Sequence, residues 1–222
     1  MKRTIIPIFT YLTLLLVFTS CRQDGPAPIR NIKAGPNLLK AQAGQAFTNY
    51  TYFTNQQQKT LGNVYTKVVL VSFVSGLSAE QEQQTLAQYG FVKNKSGQLA
   101  TGVTLLHSIE LVDGLNCNQV EQALQHLAQD PNISYAAPYF RDGNSLVGVS
   151  NQVIVTMEKG ESAALQQLAE QYNAQVLKSL GNDVYLLKVD DSSKGNALAF
   201  ANYLHGQKGI AQAEPDFIVS LD

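Results

Sequence analysis

Residues 152–219 constrain the fold more than any other stretch, because their hydrophobic pattern predicts a βαββαβ order of elements. The helices are predicted where apolar side chains recur at helical spacing, and the strands where short apolar runs are bounded by turn residues. Gly181-Asn182 is typical of a two-residue type II′ hairpin, because glycine comes first. In chain order the predicted elements cover residues 153–157, 161–172, 174–180, 184–189, 195–205 and 210–219.

The middle of the chain repeats this order of elements. Ser78, with Gln81 three residues on, forms the capping-box pattern of a helix start. The hairpin of this copy is predicted to turn either near residues 94–97 or near residues 101–102. The predicted elements are a strand at 67–74, a helix at 78–89, a hairpin at 91–111, a helix at 118–128 and a strand at 133–140.

The last strands of the two copies give the clearest internal match. Pro138 and Pro215 are 77 residues apart, whereas Val68 and Val153 are 85 residues apart, so the first copy is about eight residues longer inside. We expect this excess in its hairpin. Duplication at a domain-sized period indicates tandem domains.

The sequence therefore predicts an α+β fold of two tandem ferredoxin-like βαββαβ sandwiches, each an antiparallel sheet with two helices on one face. The first domain is placed at residues 67–145 and the second at residues 151–222. Strand 4 of each copy is predicted to be an edge strand, where Pro138 and Pro215 would be tolerated.

The predicted central strands are apolar on both faces. In the second copy, Val184 and Leu186 alternate with Tyr185 and Leu187, and both pairs are apolar. A two-layer sandwich leaves one sheet face bare, so this pattern predicts a sheet-face interface that includes Val184 and Leu186. Two alternatives stay open: the two copies cover each other, or the central strands are merely apolar.

The N-terminus has the pattern of a bacterial lipoprotein signal. A basic start at Lys2-Arg3 precedes an apolar run at residues 5–17 that is too short to span a membrane, and Cys21 follows small residues. The pattern predicts a signal peptide at residues 1–20, lipid attachment at Cys21 and a membrane-anchored protein of the bacterial cell envelope, outside the cytoplasm. The alternative is an ordinary secretory signal with an incidental cysteine.

Residues 21–66 are predicted to be an anchor and linker, because prolines break any regular element. Residues 56–58 are three glutamines, which we expect to be weakly ordered. Tyr50, Tyr52 and Phe53 form an aromatic patch that we expect to dock on the folded part.

The composition favours neither nucleic-acid binding nor catalysis. Without the signal peptide the formal charge is about −3, and no basic run or basic-aromatic alternation is present. His107, His126 and His205 belong to no metal-ligand pattern, and no nucleophile or phosphate-loop motif occurs. The sequence therefore predicts no enzyme, no metal, no cofactor and no small-molecule substrate.

Cys117 precedes a helix predicted to start at Asn118, with Glu121 in the capping-box position. A helix N-terminus can lower the pKa of a thiol. The alternative is a small packed side chain.

The second copy resembles a known family of domains. Tyr172 and Ala174 after the first helix, the strand at residues 184–189 and the Ala-Glu-Pro-Asp-Phe strand at residues 213–217 are similar to the propeptide domain of subtilisin-type proteases. Among these propeptide domains it most resembles the fervidolysin-type N-terminal prodomain. The resemblance covers about a third of the chain well and another third loosely.

The resemblance implies how the protein would act. In that family the bare sheet face packs on the protease, and the segment after strand 4 lies in the active-site cleft. Because these residues include no catalytic domain, the resemblance implies action in trans on a subtilisin-like serine protease. The implied protease-binding residues are Tyr139, Phe140, Phe217, Ile218, Val219, Ser220, Leu221 and Asp222.

Two functions remain open at the level of sequence. The first is an inhibitor or folding assistant of a subtilisin-like protease, which an exposed apolar sheet face would favour. The second is a non-inhibitory structural or protein-interaction lipoprotein, which a continuous core between the two copies would favour.

Overall fold

The computed structural model describes residues 50–221. The predicted signal peptide, the lipid-attachment residue Cys21, the linker before Tyr50 and the terminal Asp222 lie outside the described residues.

The described part of the chain begins with a two-stranded hairpin. Its strands are β1 (Thr51–Thr54) and β2 (Gln57–Thr60). Asn55 and Gln56 both have positive φ, 48° and 65°, which is the requirement of a type I′ turn. The expectation of weak order at residues 56–58 was therefore wrong, because this turn and the β1 pairing fix these glutamines.

A first βαββαβ unit follows the hairpin, in the predicted order. Its first helix is slightly shorter than predicted, and its first and last strands are longer. The turn of its hairpin lies at residues 101–104, which is the second of the two predicted positions. The elements are β3 (Asn63–Phe73), α1 (Ala79–Ala87), β4 (Val92–Ala100), β5 (Leu105–Leu111), α2 (Cys117–Ala128) and β6 (Ile133–Asp142).

The second βαββαβ unit also has the predicted order. Its hairpin turn is one residue later than predicted: Asn182 and Asp183, with φ of 51° and 59°, form the two-residue loop, and Gly181 pairs with Val184. Two positive φ values indicate type I′ rather than type II′. The elements are β7 (Ser145–Met157), α3 (Ser162–Tyr172), β8 (Gln175–Gly181), β9 (Val184–Lys188), α4 (Ala197–His205) and β10 (Ile210–Leu221).

Strand β7 joins the two units into one eight-stranded sheet. Residues 145–148 of β7 pair with β6, residues 152–156 pair with β9, and β10 pairs with both stretches. Because a strand has two edges, β6 and β9 share one edge of β7 and β10 occupies the other.

Strand β6 is therefore an interior strand, which corrects the prediction of an edge. It pairs with β3 on one side and with β7 on the other. Pro138 faces Val69 of β3 and precedes the first residue paired with β7, Tyr139. Among the described residues β10 pairs only with β7, so Pro215 does lie in an edge strand.

The two units share one hydrophobic core. Leu70 of β3 is fully buried, and a Cβ added to Gly148 of β7 would lie 2.5 Å from its Cδ1 atom. The Tyr135 hydroxyl of β6 donates a hydrogen bond to the Ser150 carbonyl oxygen of β7, at 2.8 Å. The helix-free face of the first unit is thus covered by β7, so the alternative that the two copies cover each other holds for this face only.

The initial hairpin and the preceding Tyr50 pack on both units. Tyr50 contacts Phe140, with ring centroids 4.9 Å apart, and Tyr52 contacts Phe217 at the same distance. Phe53 stacks on His205 at 3.8 Å. The prediction that this aromatic patch docks on the folded part is confirmed. No helix within residues 50–221 is long and apolar enough to cross a membrane.

Candidate binding face

The helix-free face of the second unit, called here the open face, is built by alternate residues of β7 and β9. Strand register places Ile154 opposite Leu186 and Thr156 opposite Val184. Since side chains alternate along a strand, these four residues and Lys188 share one face. The intervening residues Val153, Val155 and Leu187 are fully buried on the helix-covered side.

The centre of the open face is apolar and accessible. Ile154 is 37% exposed, whereas its two chain neighbours are 0% exposed. Leu186 is mostly buried, yet it lies outside the shared core cluster. The two sequence-predicted interface residues, Val184 and Leu186, therefore do lie together on this surface.

Charged residues flank this apolar centre. Lys178 of β8 lies opposite Leu186, and Glu214 of β10 lies opposite Ile154. With Lys188 on β9, the face has two cations towards its β8 side and one carboxylate on its β10 side. An apolar centre with a charged rim is typical of a protein-binding surface.

The predicted tail segment is a paired strand. Residues 217–221 are the last part of β10 and pair with residues 145–149 of β7 in unbroken register. Val219 is 64% exposed, whereas Phe217 is half-buried against Tyr52. Because β10 is an edge strand, this segment offers a partner its outer backbone edge rather than a free extended chain.

The other predicted binding residues lie away from the open face. Tyr139 and Phe140 belong to β6 and are buried, with the Tyr139 hydroxyl 3.0 Å from the Ser108 hydroxyl. Ser145, at the end of the corresponding segment, already belongs to β7. In the folded protein the side chains of Tyr139 and Phe140 pack in the shared core.

The histidines are spread over the molecule. His107 is buried between Phe73 and Glu82, and burial lowers its pKa from the ordinary value against the raising effect of Glu82. His126 is in the last turn of α2, and His205 stacks on Phe53. Among the described residues no three His, Cys, Asp or Glu side chains are grouped as a metal site would require.

A cleft of about 310 Å³ separates α2 from the loop at residues 190–196. Glu121, Asp190 and Asp191 line it together with apolar residues of α2 and β6. The Asp190 carboxylate accepts hydrogen bonds from the backbone amide and hydroxyl of Ser192, at 3.0 and 2.6 Å, so it serves to shape its own loop.

Sequence reasoning missed three exposed apolar residues in the first unit. Leu99, Val103 and Leu105 are 43%, 48% and 44% exposed around the β4–β5 turn. Their signal in the sequence is a run without charge, residues 98–106, at a hairpin turn. Such turns are usually polar.

The comparisons with known proteins concern mainly the second unit. The model of the fervidolysin N-terminal prodomain family matches residues 148–216, which run from the middle of β7 into β10. This match supports a subtilisin propeptide-like domain in that part of the chain. No curated protein matches the sequence.

One solved structure among those that match is the small subunit of acetolactate synthase from Thermotoga maritima. It is 12% identical, and the similarity covers 71% of this chain and 98% of that chain, with a TM-score of 0.28. A score of that size supports no inference about function.

Proposed function

We propose that this protein binds a subtilisin-like serine protease in trans through the open face of its second unit, and inhibits the protease or assists its folding. One observation carries the proposal: the prodomain family matches residues 148–216, the unit whose helix-free sheet face exposes Ile154 and leaves Val184 half-buried. The role is one of binding and involves no chemistry by this chain.

The first unit has a different part in this proposal. Its own helix-free face packs on β7 through Leu70 and Tyr135, so it has no equivalent surface to offer. It therefore supports the second unit, whose open face is the proposed protease contact. Burying the exposed part of Ile154 contributes roughly 25 cal/mol per Å² of apolar surface removed from water.

The β10 segment, residues 217–221, would add backbone contacts in this proposal. An edge strand can pair with an extended strand of a partner, and its outward side chains then provide selectivity. Among residues 217–219, Val219 is the exposed side chain. Ser220 and Leu221 complete β10, and Asp222 follows them in the sequence.

The proposed location is the bacterial cell envelope, with a lipid on Cys21 holding the folded part at a membrane. The basis is the signal pattern of residues 1–21. Metabolic labelling with a radioactive fatty acid tests this. Label is expected on the intact sequence and none on Cys21→Ala; equal labelling of both proteins would contradict it.

A second function is favoured by a separate observation. One core and one sheet run through both units, which is the arrangement expected of a structural or protein-interaction module. In that case the open face would contact an envelope partner other than a protease.

The test is a titration of residues 22–222 against a panel of subtilisin-like proteases, with residual activity measured. Wild-type protein is expected to inhibit at least one of them. Ile154→Lys places a charge in the apolar centre opposite Glu214, where the fold can accept it, and should weaken inhibition at least about tenfold.

Ser179→Lys is the matched control. Ser179 is exposed and pairs with Tyr185, on the opposite face of the same sheet. It should inhibit like the wild type. If neither inhibition nor binding occurs with any protease, the protease proposal is wrong and the interaction-module function is preferred.

A further inference from the structure

We propose that the cleft between α2 and the loop at residues 190–196 binds the chain's own N-terminal segment, with Leu38, Leu39 and Lys40 seated in it. The N-terminal segment is defined here as residues 22–49, which precede the described residues. None of the open-face residues lines this cleft. The docking is therefore separate from the proposed protease contact.

The cleft combines apolar surface with carboxylates. Leu124 and Ala128 of α2 and Pro138 of β6 contribute apolar surface, and Glu121 and Asp191 contribute carboxylates. The described residues that line it include no lysine, arginine or histidine. A volume of about 310 Å³ is large enough for a bound ligand. Such a lining favours an aliphatic chain that carries a cation, because the chain covers the apolar surface and the cation meets the negative charge.

The Asp191 carboxylate is available to a cation. Asp191 is exposed and takes part in none of the ion pairs formed within residues 50–221. Its neighbour Asp190 differs, because it accepts the Ser192 hydroxyl at 2.6 Å and shapes the loop. A cation inside the cleft is partly shielded from water, so its attraction to a carboxylate is stronger there than on an open surface.

Tyr50 fixes the point at which the N-terminal segment joins the folded part. Tyr50 itself lines the cleft. Its ring packs on Phe140 with centroids 4.9 Å apart, and its carbonyl oxygen accepts a hydrogen bond from the Leu61 backbone amide at 2.8 Å. Because the segment is tethered at the cleft wall, its docking is intramolecular and benefits from a high effective concentration.

The charges of the two partners are complementary. The N-terminal segment has four basic residues and one acidic residue, a formal charge of +3. Residues 50–221 have ten basic and fifteen acidic residues, a formal charge of −5. This difference favours the N-terminal segment as the occupant over the folded part of a second copy, which carries the same negative charge.

Leu38-Leu39-Lys40 is the part of the segment that fits the cleft. Here a cation directly follows two leucines, and Lys40 is the basic residue nearest to Tyr50 in the segment. Ten residues span roughly 33 Å when extended, whereas the 12 residues of α2 are about 18 Å long. Lys40 can therefore reach any part of the cleft. Arg30 and Lys33 are farther along the chain, and effective concentration falls with the length of the connection.

Docking would brace the two units against each other. The cleft has α2 of the first unit on one side and the loop of the second unit on the other, so a segment that fills it contacts both. It would also leave only residues 22–37 as a free connection to Cys21. Sixteen residues span on the order of 50 Å at full extension, which limits the distance of the folded part from an anchor at that cysteine.

Trypsin cleavage of the purified full chain tests this docking. A protease cuts a docked segment only while it is undocked, so the cleavage rate follows the undocked population. Cleavage after Lys40 should be at least about tenfold slower than cleavage after Arg30, which lies in the same segment but outside the docked residues. Mass spectrometry of the N-terminal fragments gives both initial rates.

Glu121→Gln with Asp191→Asn removes the two carboxylates from the cleft without adding a trypsin site. This double variant should accelerate cleavage after Lys40 about fivefold and leave cleavage after Arg30 unchanged. Glu158→Gln with Asp183→Asn is the matched control, because it changes the net charge equally at two exposed residues outside the cleft. It should change either rate less than about twofold.

A fluorescent reporter locates the segment independently of proteolysis. The chain contains no tryptophan, so the emission of Leu39→Trp comes from that position alone. The emission should lie at a shorter wavelength than that of an exposed indole, and should shift to longer wavelength when Glu121→Gln and Asp191→Asn are added. Neither the emission nor the cleavage rates should change when the protein is diluted.

Three outcomes would overturn the docking. Equal cleavage rates after Lys40 and Arg30 would show that the segment is undocked. Equal acceleration by the two double variants would show that the cleft carboxylates do not hold it. Protection that is lost on dilution would show that a second copy supplies the occupant. None of these measurements involves a protease partner of this protein, so the docking and the proposed function can fail separately.

Discussion

Gly148 lies at a close approach between the two units. A Cβ at this position would lie 2.5 Å from Leu70 Cδ1 and 2.9 Å from the Tyr139 ring. Its φ is not in the left-handed region, so the glycine is required by space rather than by conformation. The sequence gives no hint of this, because the neighbours come from two other strands.

Gly148→Ala is expected to lower the free energy of unfolding by about 1–3 kcal/mol, because Leu70 and Tyr139 must move to admit the methyl group. Gly102→Ala is the control, since a Cβ there meets no atom within 4 Å. Urea unfolding monitored by circular dichroism measures both. An equal effect at the two positions would contradict the close packing described.

His107 makes the stability of the protein depend on pH. Burial lowers its pKa in the folded state, with Glu82 opposing and Lys95 adding to the effect. Below the ordinary histidine pKa of about 6.5 the unfolded chain therefore takes up a proton that the folded chain does not. The free energy of unfolding should fall as the pH falls through this range.

His107→Gln should flatten this dependence. The difference in the free energy of unfolding between pH 8 and pH 5.5 is expected to be smaller in the variant than in the wild type. His126→Gln, on the half-exposed side of α2, serves as the control. An unchanged pH profile in His107→Gln would show that another group is responsible.

At the scale of the elements, the capping pattern predicted one helix start correctly and placed the other start two residues too late. The capping box of α1 is Ser78 with Gln81, as predicted. For α2 the box is Asn116 with Gln119, not Asn118 with Glu121, so the helix begins at Cys117. Cys117 is buried and disulfide-bonded, so it is neither a free thiol with a lowered pKa nor simply a packed side chain.

Asn116→Ala should lower the free energy of unfolding by about 1 kcal/mol, because the Gln119 backbone amide loses its acceptor. Asn118→Ala lies inside the helix and should change it by a few tenths of a kcal/mol at most. Thermal unfolding of the two variants distinguishes the two possible capping boxes of α2. A larger loss of stability in Asn118→Ala than in Asn116→Ala would favour the predicted box, Asn118 with Glu121.

Element order was accessible to sequence reasoning, and strand partners were not. The two βαββαβ runs follow from periodicity and turn residues, which are local. The pairing of β6 with β7 depends on the extension of β7 back to Ser145, which residues between the predicted domains supply. The sequence predicts a connection there, because the Gly143-Asn144 turn does not by itself say which strands it joins.

At the scale of the whole molecule, one core extends through both units. Tyr135 of β6 donates to the Ser150 carbonyl of β7, and Leu70 of β3 packs at Gly148. Neither unit can unfold without exposing buried surface of the other. The two units are therefore expected to behave as one cooperative body.

Calorimetry of residues 22–222 should show a single transition whose calorimetric and van't Hoff enthalpies agree. The physical reason is the shared sheet at β7, which both units need intact. Two separable transitions would mean that the units are energetically independent domains. Tyr135→Phe, which removes the donor to Ser150, should shift the single transition downward without splitting it.

The candidate site also contains residues that could be predicted from the sequence and residues that could not. Val184 and Leu186 could be placed on one strand face from the sequence, because alternation along a strand is a local property. The exposure of Ile154, Leu99, Val103 and Leu105 could not be predicted, because it depends on which other segments pack against each side chain. Tyr139 and Phe140 were misplaced for the complementary reason: β6 has strands on both sides, which buries them.

The sequence by itself determined the helices and strands of the two units, their duplicated order, the α+β class and the resemblance of the second unit to a protease prodomain. Each of these depends on contacts between residues close in the chain or on a pattern within one segment. Only the tertiary structure decided that β7 joins the units, that one helix-free face is covered and the other is open, and that the β4–β5 turn is hydrogen-bonded to β7. These depend on contacts between distant segments, and no local pattern carries them.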